Sequence, residues 1–582
     1  MLPEVALKEH DGNHDVDLRV GALQAKFSHD ALLNGTSLDL YRGSVLVFHL
    51  KYLWLRHGFV LNDQDGGGWG EERFVPFRRA QVGEGIAAII GLEAGGPELS
   101  LPGGTRVPLG DRFDLTGSLR ANVQGAILLG PADPIAAPLA APSRLGATQA
   151  AAWDNLVISE HGFFVEGWID DRSAPLAGLS FEDRSMGELV GLPAYRVRRA
   201  DVENYLQSTQ PYEFGIWTAG RLRRGFEPQD LGIATLGPQG AQHTAQLPDL
   251  IRKPGTEFLD FLLAHLGGRE LLGELTTRSF ADLDAGHGAF LAALHDEVAA
   301  TRAIRIKATF GPRSPGCRLS LVCVLLGIPD FLYLLVSQFA RFGPLDTLEF
   351  VFVSNSPELE EVLVRDAELA SFVFGARIVV VSLNQNCGFS HANNVGVAVA
   401  QAGTIGIINP DVYPRDAAAV ANTLRVAEGG LGSDVVGGKL YYADGSVMHE
   451  GMFFAPDVKV SALAGAPVWT VEHFRKGFPD TAGTEPRRVP AVTGALMLIE
   501  RALFERIGGF DTRFISGYYE DADLCLRVRQ AGGNVRLDPA LAYWHYEGMG
   551  SAKRPAQAGA QLYNRWLFTR RWGATLERAN DV

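Results

Sequence analysis

The stretch beginning at residue 318 constrains the fold most. Leu319–Leu326 is a nearly unbroken apolar run, the pattern of a strand covered on both faces by helices. Gly327-Ile328-Pro329 turns the chain, and Asp330 is placed to cap a helix carrying Phe331, Leu332, Leu335 and Phe339 at helical spacing. Further strands are read at Leu348–Val353, at Ile378–Val381 and at Thr404–Ile408. This β-α-β rhythm predicts an α/β domain with a doubly wound, mostly parallel sheet. Ligands of such sheets bind beyond the carboxyl ends of the strands. The polar residues Ser354-Asn355-Ser356 and Asn409-Pro410-Asp411 fall at those ends.

The preceding chain has a different texture. Residues 1–130 alternate short apolar runs, such as Ser44–His49 and Arg106–Leu109, with Gly-rich turns and predict a β-rich domain. Residues 131–147, opening on PADPIAAPLAAP, read as a semi-rigid linker. Residues 148–250 read as a β-sandwich-like domain with strands at Phe163–Ile169, Gly178–Phe181 and Glu188–Leu192, and with Trp168 and Trp217 as core residues rather than sugar platforms. Residues 251–310 read as a helical connector, with Phe258, Leu259, Leu262, Leu263 and Leu266 on one stripe and Phe290, Leu291, Leu294 and Val298 on another. Residues 311–582 form the α/β domain, punctuated at its start by GPRSPG.

The chain carries 53 Lys and Arg against 67 Asp and Glu, a net charge of −14. That balance argues against a broad grip on nucleic acid or an anionic membrane. The four cysteines form no CxxC pair and read as reduced thiols. The first residues are polar and acidic, with no apolar signal core, and no apolar run is long enough to span a bilayer. The expectation is a cytoplasmic protein, with peripheral contact at the inner face of the cell membrane left open. The oligomeric state is not legible.

Four motifs carry chemistry. Asn386-Cys387-Gly388-Phe389-Ser390-His391-Ala392-Asn393-Asn394-Val395-Gly396 follows a strand and enters a small-residue helix. Gly388 lets backbone approach a ligand closely, and the asparagines offer both donors and acceptors. The second motif is Asn409-Pro410-Asp411, whose carboxylate can hold a divalent cation against a diphosphate. The third runs through Thr493-Gly494 to Gly508-Gly509-Phe510-Asp511, where Gly494 leaves room for a sugar. The fourth, Tyr518-Tyr519-Glu520-Asp521-Ala522-Asp523-Leu524-Cys525-Leu526-Arg527, sets three carboxylates at a helix start. That grouping suits the helix dipole, and equally a general base tuned by its neighbours. His545 follows and could complete a metal site. Each motif also has an ordinary structural reading as a turn, a cap or an acidic first helical turn.

In this order and spacing the motifs resemble a family 2 glycosyltransferase of the GT-A fold over about residues 318–572, and most of all its rhamnosyltransferase-like branch, with the series NxGFxxANNxG, NPD, GGFD and EDxDLxxR. The resemblance implies that Asp411, with His545, holds Mg²⁺ or Mn²⁺ on the donor diphosphate, and that Asn409 lies nearer the ribose. Ser354, Asn355, Asn386, Gly388, Asn393, Asn394 and Gly494 would line the donor site. Asp521 would be the catalytic base, and Glu520 and Asp523 would orient the acceptor or the base. The turn at Ser354–Ser356 departs from the family in lacking a carboxylate, and Leu326–Pro329 departs from its Pro-x-Tyr-Asn-like turn. The segment Ala455–Arg488 matches nothing recognisable, and in such enzymes this region often builds the acceptor side. The segment GWIDDRSAPLAGLSFED, with Arg199-Ala200-Asp201-Val202 and Phe214-Gly215, is similar to small β-sandwich domains attached to some bacterial glycosyltransferases.

What the resemblance implies is metal-dependent, inverting transfer of a sugar from a nucleotide-diphosphate donor to a glycan, lipid-linked or protein acceptor, in surface polysaccharide or glycoconjugate synthesis. The alternative is a catalytically degenerate relative that binds glycan or a partner. A sugar nucleotidyltransferase fits less well, because no Gly-rich basic loop stands at Gly327–Leu332.

Overall fold

In this computed structural model, residues 7–252 are described as strands, one short helix and the turns that join some of them. Beyond them, residues 253–270, 280, 282–313, 315–457, 467–480, 485–547 and 555–580 are described. The chain divides into two compact units, one comprising Met1–Pro254 with Gly268–Leu275, the other Gly255–Gly267 with Thr276–Val582.

The first unit is β-rich. Gln149–Ile158, Phe163–Asp170, Gly215–Gly220 and Tyr195–Val197 form an antiparallel sheet. Gly178–Asp183, Glu188–Leu192, Leu231–Gly237 and Gly240–His243 form a second. Trp168 and Trp217 are both 1% exposed, the core position expected of them. Tyr195 stacks on Trp217 at 4.3 Å. Arg199 joins the strand carrying Asp154 (2.7 Å) to Asp201 (2.6 Å) on the following helix. The Pro131–Pro142 linker falls outside the described residues.

In the second unit, helix α1 is Gly255–Glu270 and α2 is Gly288–Ala299. Strand β1 (Ile304–Phe310) follows, inside the stretch expected to be a helical connector, and pairs antiparallel with β4. Then come β2 (Leu319–Leu325), α3 (Phe331–Ala340), β3 (Leu348–Ser354), α4 (Glu360–Phe374), β4 (Arg377–Leu383), α5 (Gly388–Val399) and β5 (Thr404–Ile408). After these run β6 (Val412–Pro414), α6 (Ala417–Gly429), β7 (Val435–Tyr441), β8 (Val447–His449), the hairpin β9 (Met452–Pro456) and β10 (Trp469–His473), and β11 (Arg487–Arg488). The unit ends with β12 (Leu496–Glu500), α7 (Arg501–Arg506), α8 (Glu520–Gln530), β13 (Val535–His545) and α9 (Pro555–Asn580).

The sheet order is β1-β4-β3-β2-β5-β12-β7-β13-β6, with β8 on β7 and β11 on β13. Strands β2 to β5 are the parallel core. Antiparallel β1, β12 and β6 extend it to a mixed sheet. The apolar runs are continuous because both faces are covered. Val322, Val351, Val353, Val379 and Val381 enter one core, while Leu321, Cys323, Phe350, Phe352 and Val380 enter the other. This is the doubly wound α/β sheet anticipated for a GT-A domain.

Two local details matter. Asp330 adopts helical angles and makes no side-chain cap, so that reading is corrected; the Pro329 and Asp330 carbonyls start the turn instead. Among the described residues no helix is long and apolar enough to cross a membrane. The cysteines Cys317, Cys323, Cys387 and Cys525 are free thiols.

Gly396 shows why α5 opens with small residues. A Cβ there would lie 2.4 Å from Val322 Cγ1 and 3.0 Å from Val353 Cγ2. Gly396→Ala overpacks the helix–sheet contact and is expected to cost about 1–3 kcal/mol. Urea unfolding checks this, and an unchanged midpoint would contradict the packing.

Candidate active site

The site gathers where β3 and β5 end and β12 begins. At the end of β3, Ser354 and Ser356 bond each other: the Ser354 hydroxyl donates to Ser356 O (3.0 Å) and receives the Ser356 N–H (3.2 Å). The Asn355 side chain is spent on the neighbouring turn. Its Oδ1 accepts the Cys387 N–H (3.1 Å) and its Nδ2 donates to Gly388 O (3.3 Å). Asn386 closes the same turn by accepting the Gly388 N–H (3.1 Å). Gly388 has φ +78°, and a Cβ would press on Ser516 backbone at 3.3 Å. The chain crosses here, with Phe389 N–H donating to Ser516 O (2.7 Å).

The paired asparagines work as braces. Asn393 is fully buried and donates to Phe389 O (2.9 Å). Asn394 donates to Phe510 O (2.8 Å) and accepts from Phe510 N–H (2.9 Å), pinning the Gly-Gly-Phe-Asp turn to α5. Two motifs that lie far apart in sequence are therefore one structural joint. Both side chains bind protein backbone, as does Asn355, whereas donor contacts were expected of all three.

At the end of β5, the Asn409 N–H donates to Ala495 O (2.9 Å), which sets the second motif beside the third. Asp411 is 3% exposed, and His545 Nε2 lies 3.3 Å from its Oδ1. His545 stands on β13, which β6 pairs against through Val412. The other ring nitrogen, Nδ1, is 3.4 Å from Met448 Sδ. With its proton on Nδ1, the ring would present Nε2 on the side of the carboxylate, and Asp411 and His545 would together hold a cation. The donor set thus fits a divalent ion that draws its other ligands from a diphosphate and water. Among the described residues no group of three or more His, Cys, Asp or Glu forms a complete metal cage.

The base candidate is held by backbone. Asp521 Oδ2 accepts the Gly494 N–H (2.9 Å), Oδ1 accepts the Ala522 N–H (2.8 Å), and the Thr493 hydroxyl also bonds it. Gly494 lies against the Phe389 ring and Asp521 Cβ, 3.3 Å and 3.5 Å from the place of a Cβ. Asp521 keeps part of its surface open, yet lies deep enough that burial raises its carboxyl above the ordinary aspartate range, against the pull of those bonds. Glu520 is 5% exposed with Oε2 unpartnered, and burial, then the Asp521 charge, push it well above the ordinary range. The neighbours are therefore unlike: Asp521 has hydrogen bonds that favour its charged form, whereas burial and the Asp521 charge both push Glu520 upward.

Asp523 departs from the expected role. It is fully buried and bonds Arg527 Nε (2.8 Å), Trp572 Nε1 (2.9 Å) and Arg571 Nη1 (3.0 Å). Arg571 also reaches Asp511 (2.5 Å). Asp523 is thus a joint between α8, α9 and the Gly-Gly-Phe-Asp turn.

The loop before α8 is unusual. Ser516, Tyr518 and Tyr519 all have positive φ (62°, 77° and 73°), sparsely populated for such residues. Asn564, fully buried on α9, holds them: it accepts the Ile515 N–H (2.8 Å) and donates to Ile515 O (2.9 Å), Gly517 O (2.7 Å) and Tyr518 O (3.2 Å). Sequence reasoning missed Asn564, and also His449 and His473, which pair across β8 and β10. A lone Asn inside a helix and two His without metal spacing give no signal by themselves.

Residues 341–569 match the model of the glycosyltransferase like family 2. An uncharacterised protein, y4gI, of Sinorhizobium fredii (strain NBRC 101917 / NGR234) is 30% identical over 165 residues, 27% of this chain and 17% of that protein. The O-antigen biosynthesis protein RfbC of Myxococcus xanthus is 26% identical over 246 residues, 41% of this chain and 18% of that protein. The chain thus spans under a fifth of the length of either relative. Among solved structures, the mannosyltransferase PcManGT of Pyrobaculum calidifontis, in complex with GDP-Man and Mn²⁺, is similar at 16% identity and a TM-score of 0.28, over 55% of this chain and 87% of that one. Residues 341–569 thus resemble glycosyltransferase family 2, the likeness that the motifs suggested.

A pH test follows from Glu520. Its folded pKa is raised, so the native state binds a proton that the unfolded chain releases above about pH 4.5, and stability falls as pH rises from there. Glu520→Gln, which imitates the protonated acid, is expected to raise Tm at pH 8 and to leave it unchanged near about pH 4. Equal Tm at both pH values would contradict the assignment.

Proposed function

We propose that residues 311–580 are a metal-dependent, inverting sugar transferase. The donor is a nucleotide-diphosphate sugar, and the acceptor is a hydroxyl of a glycan or glycoconjugate. The observation that carries the reading is the Asp521 carboxyl, bonded by the Gly494 and Ala522 N–H groups and set beside the buried Glu520. The chain of contacts from Asp521 through Thr493-Gly494-Ala495 to Asn409 and Asp411 supports placing donor and acceptor in one site.

Asp521 takes the proton from the acceptor hydroxyl as that oxygen bonds the anomeric carbon and the carbon–diphosphate bond breaks. A single displacement inverts the anomeric configuration and needs no covalent nucleophile. Glu520 stays neutral, which spares the base a second negative neighbour. Asp411 and His545 would hold the divalent cation, which supplies charge neutralisation for the leaving diphosphate. Membership of a surface polysaccharide or glycoconjugate pathway is supported by the likeness to RfbC. We place the protein in the cytoplasm on the same reading.

One observation favours the alternative of binding without turnover: the Ser354–Ser356 turn lacks a carboxylate, and its Asn355 is occupied by the neighbouring turn. The two readings part on Asp521→Asn. Nucleotide release from a panel of UDP-, GDP- and dTDP-sugars is expected to fall about 10²–10⁴-fold in this variant, with its melting temperature unchanged. Retained release would contradict the base assignment. Absence of release in wild type, with donors still bound, would favour the degenerate relative.

A further inference from the structure

His449 and His473 lie outside every role assigned above. His449 ends β8 and is fully buried, whereas His473 ends β10 and keeps part of its surface open. Their Nδ1 atoms are 2.9 Å apart, so one proton lies between them. The other nitrogen of His449 decides who carries it. His449 Nε2 receives the N–H groups of Gly451 (3.3 Å) and Thr493 (3.4 Å), two donors, and is therefore an acceptor. The proton sits on His449 Nδ1 and is donated to His473 Nδ1. His473 must then carry its own proton on Nε2. Burial, helped by the Lys476 charge, keeps His473 down at about 4, and burial lowers His449 as well, so the pair is neutral and this arrangement persists.

The pair is wired to the reaction site on two sides. Thr493 gives its N–H to His449 and its hydroxyl to Asp521. Met448, next to His449, touches His545, which faces Asp411. Burying two rings to aim one N–H is costly unless that N–H is used. Next to it in sequence and on the same turn, Phe474 (37% exposed) and Phe478 (56%) offer open aromatic surface.

We propose that His473 is a recognition residue for the acceptor saccharide, donating its Nε2–H to an uncharged sugar oxygen, and that His449 is the positioning residue that fixes this tautomer. Strand β10, inside the segment Ala455–Arg488 that matched no recognisable pattern, is then part of the acceptor side. This inference rests on the transferase reading.

The full chain is assayed by nucleotide release from UDP-, GDP- and dTDP-hexoses, with methyl glycosides of rhamnose, mannose, galactose and N-acetylglucosamine as acceptors. His473→Phe is expected to raise KM for the glycoside that stimulates wild type roughly three- to tenfold, with the donor KM unchanged. His473→Gln, whose amide nitrogen replaces Nε2, keeps KM near wild type. An unchanged glycoside KM in His473→Phe, or a change in the donor KM instead, overturns the proposal. Should His473→Phe fail to fold, ¹⁵N-histidine spectra of wild type decide: protons on His449 Nδ1 and His473 Nε2 support it, and the reverse pair overturns it. A wild type silent with every donor defeats the transferase reading and this inference with it. An active wild type matched by His473→Phe defeats this inference alone.

Discussion

Two adjacent carboxyls buried at the start of one helix, Glu520 and Asp521, are the constraint around which the C-terminal unit is arranged. Neither tolerates charge there without help. Asp521 is given two backbone N–H groups and a hydroxyl, whereas burial pushes Glu520 well above the ordinary glutamate range. The donors come from two places in the chain. Gly494 and Thr493 lie just before β12, and Ala522 lies on α8 itself. The loop that delivers the pair runs through three left-handed residues, stable only because Asn564 bonds four of its backbone groups. Strain of this kind persists where the surroundings over-determine it.

The braces and the chemistry are separate sets of residues that share motifs. Asp523 and Asp511, joined by Arg571, lock α9 to α8 and to the Gly-Gly-Phe-Asp turn. Asn394 locks that turn to α5. What these braces do not involve is Asp521 with its neighbour Glu520, and the Asp411–His545 pair. A motif written as one string of letters thus contains the proposed base and, two residues on, a structural brace.

This division explains what could be read from the sequence. The four parallel strands were legible because burial on both faces makes them continuous apolar runs, and their limits agree to within two residues with β2, β3, β4 and β5. The edge strand Ile304–Phe310 was not: its residues are exposed or half-exposed, so IRIKATF has no core signature. The acidic first turn of α8 was legible as a cluster, but the direction each carboxylate faces was not, since that depends on Arg571 and Trp572 of α9. Asp330 had the right residue type for a cap and the wrong backbone angles. The His449–His473 pair needs the β9–β10 hairpin to exist before the two rings can meet.

Central to the proposed function is that Asp411 and His545 would hold a divalent ion on a nucleotide diphosphate. Isothermal titration of UDP, GDP and dTDP into the full chain tests it most directly, in Mn²⁺ and in EDTA, with Asp411→Asn run alongside. The account predicts that at least one nucleotide binds in Mn²⁺, and that binding is lost both in EDTA and in the variant. Binding of equal strength in all three conditions, or none with any nucleotide in Mn²⁺, would contradict it.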